Sequence, residues 1–418
     1  MRQSRLFTKT RREAPKDEVS KNAQLLIRAG YVHKEMAGVY SYLPLGLRTL
    51  AKIEAIIREE MDAIGGQEVR MATLHPSEPW KQTGAWDSVD VLFKLQSRTE
   101  KEYALGQSEE EIVTPIAAQY VQSYKDLPVA IYQIGQKYRD ELRAKSGIMR
   151  GREFGMKDMY SFHETQQDFD RFYAAVKKAY FKIYERCGLV AKATEASGGA
   201  FSEKISYEFM VLTDAGEDDI VYCSSCDYCS NVEVAKEGEG ELCPRCGKDH
   251  LKKAKAVEAG NVFDLGQKYP KAFNFTYKAE DGTDKHPIVG CYGIGTSRLM
   301  GTVVEVFADE KGIVWPASIA PFTVHLVELS GGNEDVKKEA DELYSDLTAH
   351  GIEVLYDDRD VRAGEKFADS DLLGLPLRVV VSEKTLAAGK FECSHRAGGK
   401  TEFLSAAELL EHLRPPYA

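Results

Sequence analysis

The sequence predicts an α+β fold in which a largely antiparallel sheet, braced by helices, is followed by a smaller α/β unit. Three features support this prediction. Two segments with helical apolar spacing enclose short segments rich in β-forming residues. A cysteine-rich, charged stretch begins at Cys223 and ends near Val257. Beyond Trp315, predicted strands and helices alternate along the chain.

The first helix is predicted at 47–64, where apolar residues recur every three or four positions before Gly65. The second is predicted at 166–187, with Thr165 and Asp168 as an N-terminal capping pattern and Gly188 as its stop. The β-rich segments between these helices lie at 102–105, 130–134 and 159–162.

The C-terminal part predicts a compact α/β unit with a mostly parallel or mixed sheet. Its predicted strands lie at 322–329, 352–356 and 377–382. Its predicted helices lie at 336–350, 366–373 and 406–413.

The stretch 137–157 is basic, whereas the chain as a whole is acidic. This stretch holds seven Lys or Arg and only three acidic residues, whereas the protein has a net charge of −11. One guanidinium group can donate to two phosphate oxygens at once, so the cluster indicates an anionic ligand such as ATP. A solvated basic loop is the alternative. The distant segment 290–298 favours the ligand, because its small residues admit a close backbone approach and Arg298 adds a cation.

Two cysteine pairs predict a structural zinc site. Cys223 and Cys226 form one C-x-x-C pair, Cys243 and Cys246 form the other, and sixteen residues separate the pairs. Free thiols or a disulfide are the alternative. Cys229 is an additional thiol that could replace a member of the first pair.

Composition restricts the remaining possibilities. No apolar run approaches the roughly 20 residues that span a bilayer, and the N-terminus lacks the apolar core of a secretory signal. We therefore expect a cytoplasmic protein without a membrane partner. The acidic balance disfavours nonspecific coating of nucleic acid and leaves a specific RNA partner open.

The chain resembles the bacterial type of prolyl-tRNA synthetase, a family of class II aminoacyl-tRNA synthetases. The most specific matches are RDE at 139–141, MRGREF at 149–154, KDMYSFH at 157–163 and GCYGIGTSR at 290–298. Further matches lie at 26–30, 42–46, 124–128 and 362–364. Their order and spacing carry the resemblance.

The resemblance implies roles at a nucleotide site. Arg139 would hold the ATP α-phosphate and the substrate carboxylate, Glu141 would accept from the adenine amine, and Phe154 would stack on adenine. Arg298 would hold the γ-phosphate, and together with Arg139 it is the expected catalytic pair. The ATP-binding set is completed by Arg150, Arg152, Glu258 and Asn261, of which the last two match a segment that contacts magnesium or ribose.

The resemblance also implies a proline pocket. The Thr-x-Glu signature of the family appears here as 108–110, where Ser108 keeps the hydroxyl and Glu110 keeps a carboxylate for the secondary ammonium of proline. The other expected contacts to proline are Arg139, Asp158, Tyr160 and Cys291.

The implied organisation is a homodimer that binds L-proline, ATP with Mg²⁺, and proline tRNA. We expect a class II catalytic domain at 1–222 and 257–316, a zinc-ribbon-like insert at 223–256, and an anticodon-binding α/β domain at 317–418. The candidate tRNA contacts are Arg359, Arg362 and Lys366. The insert is too short for the editing domain of many relatives, so we expect no editing in cis and reliance on a separate hydrolase or tolerance of errors.

Two other function classes remain at this point. One is a synthetase-like regulatory or binding protein without catalysis, which the retained Arg139, Glu141, Phe154 and Arg298 disfavour. The other is a nucleic-acid-binding zinc module, which is disfavoured because dense positive charge does not flank the cysteine pairs.

Overall fold

The computed structural model describes residues 1–197 and 205–414; the end of the predicted 317–418 domain, residues 415–418, lies outside them. The helices are α1 Lys21–Arg28, α2 Pro44–Ala63, α3 Ser77–Thr83, α4 Ala85–Ser88, α5 Glu110–Tyr120, α6 Gln166–Arg186, α7 Lys268–Ala272, α8 Thr296–Phe307, α9 Glu334–Ala349, α10 Ala363–Leu373, α11 Glu383–Ala388 and α12 Ala406–Leu413.

The strands of the described residues are β1 Val32–Met36, β2 Val39–Tyr42, β3 Gln67–Glu68, β4 Leu74–Pro76, β5 Lys94–Gln96, β6 Glu102–Leu105, β7 Val129–Tyr138, β8 Glu153–His163, β9 Ala191–Ala196, β10 Ser206–Leu212, β11 Asp218–Tyr222, β12 Cys229–Asn231, β13 Lys252–Gly266, β14 Tyr277–Lys278, β15 Asp284–Lys285, β16 Ile288–Gly295, β17 Val324–Leu329, β18 Val354–Asp357, β19 Leu377–Ser382, β20 Phe391–His395 and β21 Thr401–Leu404.

The chain forms two compact units. The first, called the sheet unit here, comprises Glu35–Tyr40 and Ile53–Thr302. The second, called the C-terminal unit, comprises Met1–Lys34, Ser41–Lys52 and Val303–Ala418.

A nine-stranded sheet in the order β10-β9-β12-β11-β13-β16-β8-β7-β3 organises the sheet unit. Its central strands β13, β16, β8 and β7 pair antiparallel, as the sequence predicts. Helix α6 contacts β8 and β16. The predicted cap is present, since the Thr165 side chain accepts from the Asp168 amide, and Gly188 has the left-handed φ that ends such helices.

The strand register shows which residues of β8 lie on each face of this sheet. Residues directly opposite in an antiparallel pair share a face, and so do alternate residues of one strand. On β8, Lys157 donates to the Tyr180 hydroxyl of α6, so the odd-numbered positions there face the helix. The even-numbered positions Phe154, Asp158 and Tyr160 therefore share the opposite face, which we call the site face.

The C-terminal unit contains a mixed five-stranded sheet in the order β18-β17-β19-β20-β21. The first three strands are parallel and the last two join antiparallel. Val336, Ala340 and Leu343 of α9 are buried in the same apolar cluster as β17 and β19. This unit confirms the predicted α/β alternation, and α12 has the predicted bounds.

Among the helices of residues 1–197 and 205–414, none combines the length and the apolar character needed to cross a bilayer.

Candidate functional site

A cavity of about 220 Å³ opens on the sheet unit. It is lined by Arg139, Glu141, Ser146, Met149, Arg150, Ala215, Glu217, Asp218, Val257, Glu258 and Arg298. The two arginines that the sequence singled out, Arg139 and Arg298, thus line the same cavity although 158 residues separate them in the chain. We call this cavity the cleft.

Arg139 follows the end of β7 and has few partners of its own. Its backbone amide donates to Arg152 O at 2.8 Å, and its guanidinium carbon lies 5.2 Å from the centre of the Phe154 ring. Its Nε has no hydrogen-bond partner among the described residues. Burial, followed by the positive charge of Arg298, lowers the pKa of Arg139. Two cations that face one cavity in this way favour an anionic ligand.

Arg298 lies in the first turn of α8, where the glycine-rich strand β16 ends. It donates from Nε to Met149 O at 2.8 Å and from Nη1 to Glu258 Oε2 at 3.1 Å. Asn261 donates to the same Glu258 carboxylate at 2.8 Å. A Cβ on Gly293 would lie 2.9 Å from Asn261 Oδ1, so this glycine makes room for the Asn261 amide.

Arg150 and Arg152 hold the loop that borders the cleft. Arg150 donates to Glu141 Oε2 at 3.0 Å and to Glu217 Oε2 at 2.6 Å. Arg152 donates to the Glu141 and Ala37 carbonyl oxygens at 3.0 and 2.9 Å. Both pairs of Arg150 are partly solvent exposed, so a bound phosphate could replace a carboxylate partner at low cost.

Acidic side chains lie in and beside the cleft: Asp218 and Glu258 line it, and Glu208 lies directly opposite Asn261 in the pairing of β10 with β13. Burial and the carboxylates of Glu258 and Asp218 raise the pKa of Glu208 to about 8. Burial and Glu258 likewise raise the pKa of Asp218. A bound cation would relieve the repulsion among these carboxylates.

The candidate amino-acid pocket lies on the site face. Glu110 begins α5 and is 1% exposed; its Oε1 accepts from the Cys291 thiol at 3.2 Å, while its Oε2 has no hydrogen-bond partner among the described residues. Burial raises the pKa of Glu110, and Ser108 and Cys291 oppose the shift. Tyr160 lies directly opposite Cys291 and accepts from the Glu109 amide at 2.9 Å. The structure thus brings together Ser108, Glu110, Tyr160 and Cys291, four of the six residues expected in this pocket.

A buried ion network that the sequence did not reveal supports this pocket. Lys137 donates to Glu109 Oε1 at 2.9 Å and lies 3.0 Å from Asp158 Oδ1, and all three side chains are almost wholly buried. His75 Nε2 lies 2.9 Å from Glu109 Oε2, and Gln133 donates to Asp158 at 3.4 Å. Burial alone would raise the pKa of Glu109, but His75 and Lys137 hold it below its ordinary value. Asp158 is therefore already paired within the protein.

The four predicted zinc ligands converge on one point. Cys223 Sγ lies 3.7 Å from Cys246 Sγ, and Cys226 Sγ lies 3.6 Å from Cys243 Sγ. A tetrahedral ion with Zn–S bonds of about 2.3 Å separates its sulfurs by about 3.8 Å, so the cluster fits zinc. Cys229 is not part of it, because its sulfur accepts from Thr194 Oγ1 at 3.1 Å in a separate apolar cluster.

The three candidate tRNA contacts line a cavity of about 480 Å³ in the C-terminal unit. Arg359 is paired with Asp357 at 2.7 Å and Asp369 at 2.9 Å. Lys366 is buried and donates to the Glu328 and Asp357 carbonyl oxygens. Arg362 is exposed at the start of α10. Arg362 is therefore the most accessible cation of the three.

Comparison with known proteins assigns a family to this arrangement. Residues 93–307 match the model of the tRNA synthetase class II core domain (G, H, P, S and T), and residues 319–415 match an anticodon binding domain. A proline–tRNA ligase of Geobacillus sp. (strain WCH70) is 36% identical over 99% of this chain and 99% of its own. The chain belongs to the proline–tRNA ligase family. A second member, from Desulfitobacterium hafniense, is 34% identical over 98% of this chain and 97% of its own.

Solved structures of the family share the fold. The prolyl-tRNA synthetase of Giardia lamblia, in complex with prolyl-adenylate, matches with a TM-score of 0.77 at 20% identity over 92% of this chain and 74% of that one. The enzyme from Cryptosporidium parvum, complexed with L-proline and AMP, matches with a TM-score of 0.76 at 18% identity over 94% and 76%.

This member of the ligase family is shorter than its relatives. The alignment with the Geobacillus ligase runs over 564 positions, whereas this chain has 418 residues, so at least 146 positions are filled by the relative alone. The relative therefore contains residues that this ligase lacks, and in total they equal the size of a typical domain.

The sequence assigned no role to Glu109, Lys137, His75 and Gln133, which the structure brings together at the candidate site. The one available signal was strand alternation, because Lys137 precedes Arg139 by two positions and so shares its side of the extended chain. No spacing rule connects Lys137 to Glu109, which lies 28 residues away.

Proposed function

We propose that this ligase activates L-proline with ATP to prolyl-adenylate and then transfers the prolyl group to the 3′ end of proline tRNA. The catalytic domain is assigned to 1–222 and 257–316, the insert to 223–256, and the anticodon-binding domain to 317–418. The single observation that carries the proposal is a cavity lined by both Arg139 and Arg298. A buried carboxylate oxygen of Glu110 that lacks a partner among the described residues supports it.

The arrangement of the site face supports two adjacent subsites. Phe154 borders Arg139, and Asp158 lies four residues further along β8, which is about 13 Å in an extended strand. A nucleotide over Phe154 would thus leave its α-phosphate between the cleft and the pocket. The amino acid and the triphosphate can then meet without movement of the sheet, which favours reaction through positioning.

In the first step, a carboxylate oxygen of proline attacks the α-phosphorus and pyrophosphate leaves. Arg139 would neutralise charge on the α-phosphate and the carboxylate, and Arg298 would hold the γ-phosphate. In the second step, the terminal ribose hydroxyl of tRNA attacks the prolyl carbonyl and AMP leaves. Fixed cations stabilise the charge that develops on phosphate oxygens, so no protein nucleophile is needed.

Glu110 is proposed to bind the secondary ammonium of proline. Its free Oε2 is buried beside Ser108, Tyr160 and Cys291, so a cationic donor there would form a charge-assisted hydrogen bond. Asp158 is already ion-paired with Lys137 and accepts from Gln133, so we assign it a positioning part in the pocket.

The wall of the cleft has ligands suited to Mg²⁺. Glu258, with Asn261 and the half-buried Glu208, presents carboxylate and amide oxygens, which this ion prefers. Magnesium bound there would supply positive charge to the phosphate oxygens. The residues themselves orient Arg298, through the contact from its Nη1 to Glu258.

A structural zinc ion is proposed for the four cysteines of the insert. The insert joins β11 to β13, which pair from Tyr222 and Lys252 to Asp218 and Ala256. Four thiolates leave no open coordination position, so the ion would hold the ends of these two strands together.

We propose that this ligase does not edit in cis. The positions present only in the longer relative support this, and so does the short insert. A pocket for proline excludes alanine weakly, because each missing methylene changes binding by only about 1–3 kcal/mol. A separate hydrolase would then remove alanine from tRNA. Efficient deacylation of alanyl-tRNA by the purified chain would refute this.

The anticodon-binding match supports a tRNA partner, and Arg362, Arg359 and Lys366 are proposed at its contact surface. A homodimer in the cytoplasm is proposed on the family resemblance alone. Sedimentation of the purified chain tests the dimer.

Proline-dependent exchange of pyrophosphate into ATP tests the proposed reaction. We expect exchange with proline to exceed that with threonine, histidine or serine, and to be lost in Arg139→Ala. A chain that binds tRNA but exchanges no pyrophosphate would instead be a regulatory protein.

A further inference from the structure

Two histidines and one glutamate lie where helix α12 of the C-terminal unit meets the β20–β21 hairpin. His395 ends β20, Glu402 lies in β21, and His412 lies in the last turn of α12. One ligand atom from each of these side chains lies within 4.8 Å of the other two. All three belong to the same compact unit, and none takes part in the proposed reaction.

The strand register explains why two of these groups meet. Cys393 lies directly opposite Glu402, and His395 follows Cys393 by two positions, so His395 and Glu402 share a face of the hairpin. His395 Nε2 lies 3.0 Å from Glu402 Oε1, and the backbone amide of His395 donates to Lys400 O at 2.9 Å. The hairpin turn therefore fixes both groups.

Helix α12 supplies the third group. The Ser405 and Glu408 capping box fixes its first turn, and Leu409 is fully buried in the core. His412 follows Leu409 by three positions, so it lies on the same side of the helix one turn later. Its ring centre is 5.3 Å from that of His395. The helix is thus held at its start and core, and its last turn meets the hairpin at this cluster.

We propose that His395, Glu402 and His412 form a binding site for a divalent transition metal, for which zinc is the probe. Two imidazoles and one carboxylate are a common ligand set for such ions. Tetrahedral zinc with bonds of about 2.0–2.2 Å separates its ligand atoms by about 3.4 Å. The distance from His395 Nε2 to Glu402 Oε1 is 3.0 Å, which is already close to that separation. Small rotations of the side chains would bring a ring nitrogen of His412 to a similar distance from both atoms.

The neighbouring groups fit this site. Lys400 donates to Glu402 Oε2 at 3.0 Å, which leaves Oε1 for the ion and fixes the carboxylate. Three protein ligands leave one coordination position for water. The bound ion would fasten the C-terminal turn of α12 to β20 and β21. An ordinary His395–Glu402 ion pair, with the His412 ring meeting the His395 ring edge to face, is the alternative that the test must separate.

The test uses the full chain after dialysis against a weak chelator, which leaves the four-thiolate site filled. Zinc is then titrated into wild-type protein and into the variants His412→Gln, His395→Gln and His350→Gln. His350 is the matched control, since it is an exposed histidine of the same unit that bonds within α9. We expect one titratable zinc per chain in wild type and His350→Gln, and at least about tenfold weaker binding in the other two.

Hydrogen exchange provides a second readout that does not depend on activity. Zinc should slow amide exchange at 406–413 in wild type and leave it unchanged in His412→Gln. The proposal is overturned if wild type takes up no zinc beyond the thiolate site. It is also overturned if His412→Gln binds zinc as tightly as His350→Gln.

Discussion

The cleft and the amino-acid pocket lie on one sheet, but their charged side chains differ in burial and in how they are paired. In the cleft, Arg150 forms partly exposed pairs with Glu141 and Glu217, and Arg139 keeps a nitrogen without a partner among the described residues. In the pocket, Lys137 is buried against Glu109 and Asp158. Charges in the cleft can therefore exchange partners with a ligand, whereas charges of the pocket network cannot. The charges of the cleft are available to a ligand, whereas the buried network beside the amino-acid pocket fixes the geometry of that pocket.

The largest expected effect concerns the buried network. Lys137→Met should lower the free energy of unfolding of the sheet unit by about 3–5 kcal/mol, because it leaves two carboxylates buried without their cation. Denaturant unfolding measures this. Lys125→Met, at an exposed lysine of the same unit, is the control. Equal stability of the two variants would remove the contrast between the regions.

The next effect concerns the cleft. Arg298→Ala should slow proline-dependent pyrophosphate exchange by about 10²–10³-fold, since it removes a preorganised donor to the phosphates. Arg171→Ala, at an exposed arginine of α6, should leave exchange unchanged. If Arg298→Ala kept the wild-type rate, the cleft would not be the nucleotide site.

A third change separates the two subsites. Glu110→Gln should raise the KM for proline by about ten- to a hundredfold, because it removes a charge-assisted hydrogen bond. The KM for ATP should stay within about twofold, since the proposed phosphate contacts lie in the cleft. Steady-state kinetics give both constants, and Glu280→Gln at an exposed position is the control. An equal rise in both constants would contradict two separate subsites.

The acidic wall predicts a dependence of stability on pH. The pKa of Glu208 is raised from near 4.5 to about 8, so the folded state binds more protons than the unfolded state between these values. Stability should therefore fall as pH rises from about 5 to 8, by at most about 1.4 kcal/mol per unit from this group. Melting temperatures of Glu208→Gln should fall less over this range. An unchanged slope would contradict the assignment.

The smallest effect is expected at Arg150. Arg150→Met should change the free energy of unfolding by less than about 1 kcal/mol, because its ion pairs are partly exposed. A loss as large as that of Lys137→Met would show that the cleft, too, depends on fixed ion pairs.

The sequence predicted what depends on local pattern. Apolar spacing with Thr165 and Gly188 located α6, and a cluster of basic residues against an acidic background located the cleft. Both signals lie within about twenty residues of sequence. The cysteine spacing likewise predicted four residues that converge, as their sulfur distances show.

The remaining features depend on burial, which the sequence does not display. Glu109 and Lys137 resemble surface charges in the sequence. The pairing of β7 with β8 places Lys137 on the same face as Asp158, where the Lys137 ammonium reaches the carboxylate. Cys229 could not be separated from Cys226 by spacing, because its position in β12 decides which sulfur turns toward the cluster.

The proposed function requires one nucleotide to be held by both arginines of the cleft. A crystal structure with proline and a nonhydrolysable ATP analogue tests this directly. It should show the guanidinium groups of Arg139 and Arg298 about 2.7–2.9 Å from oxygens of the same triphosphate. A nucleotide that contacts only one of them, or that binds elsewhere, would contradict the account.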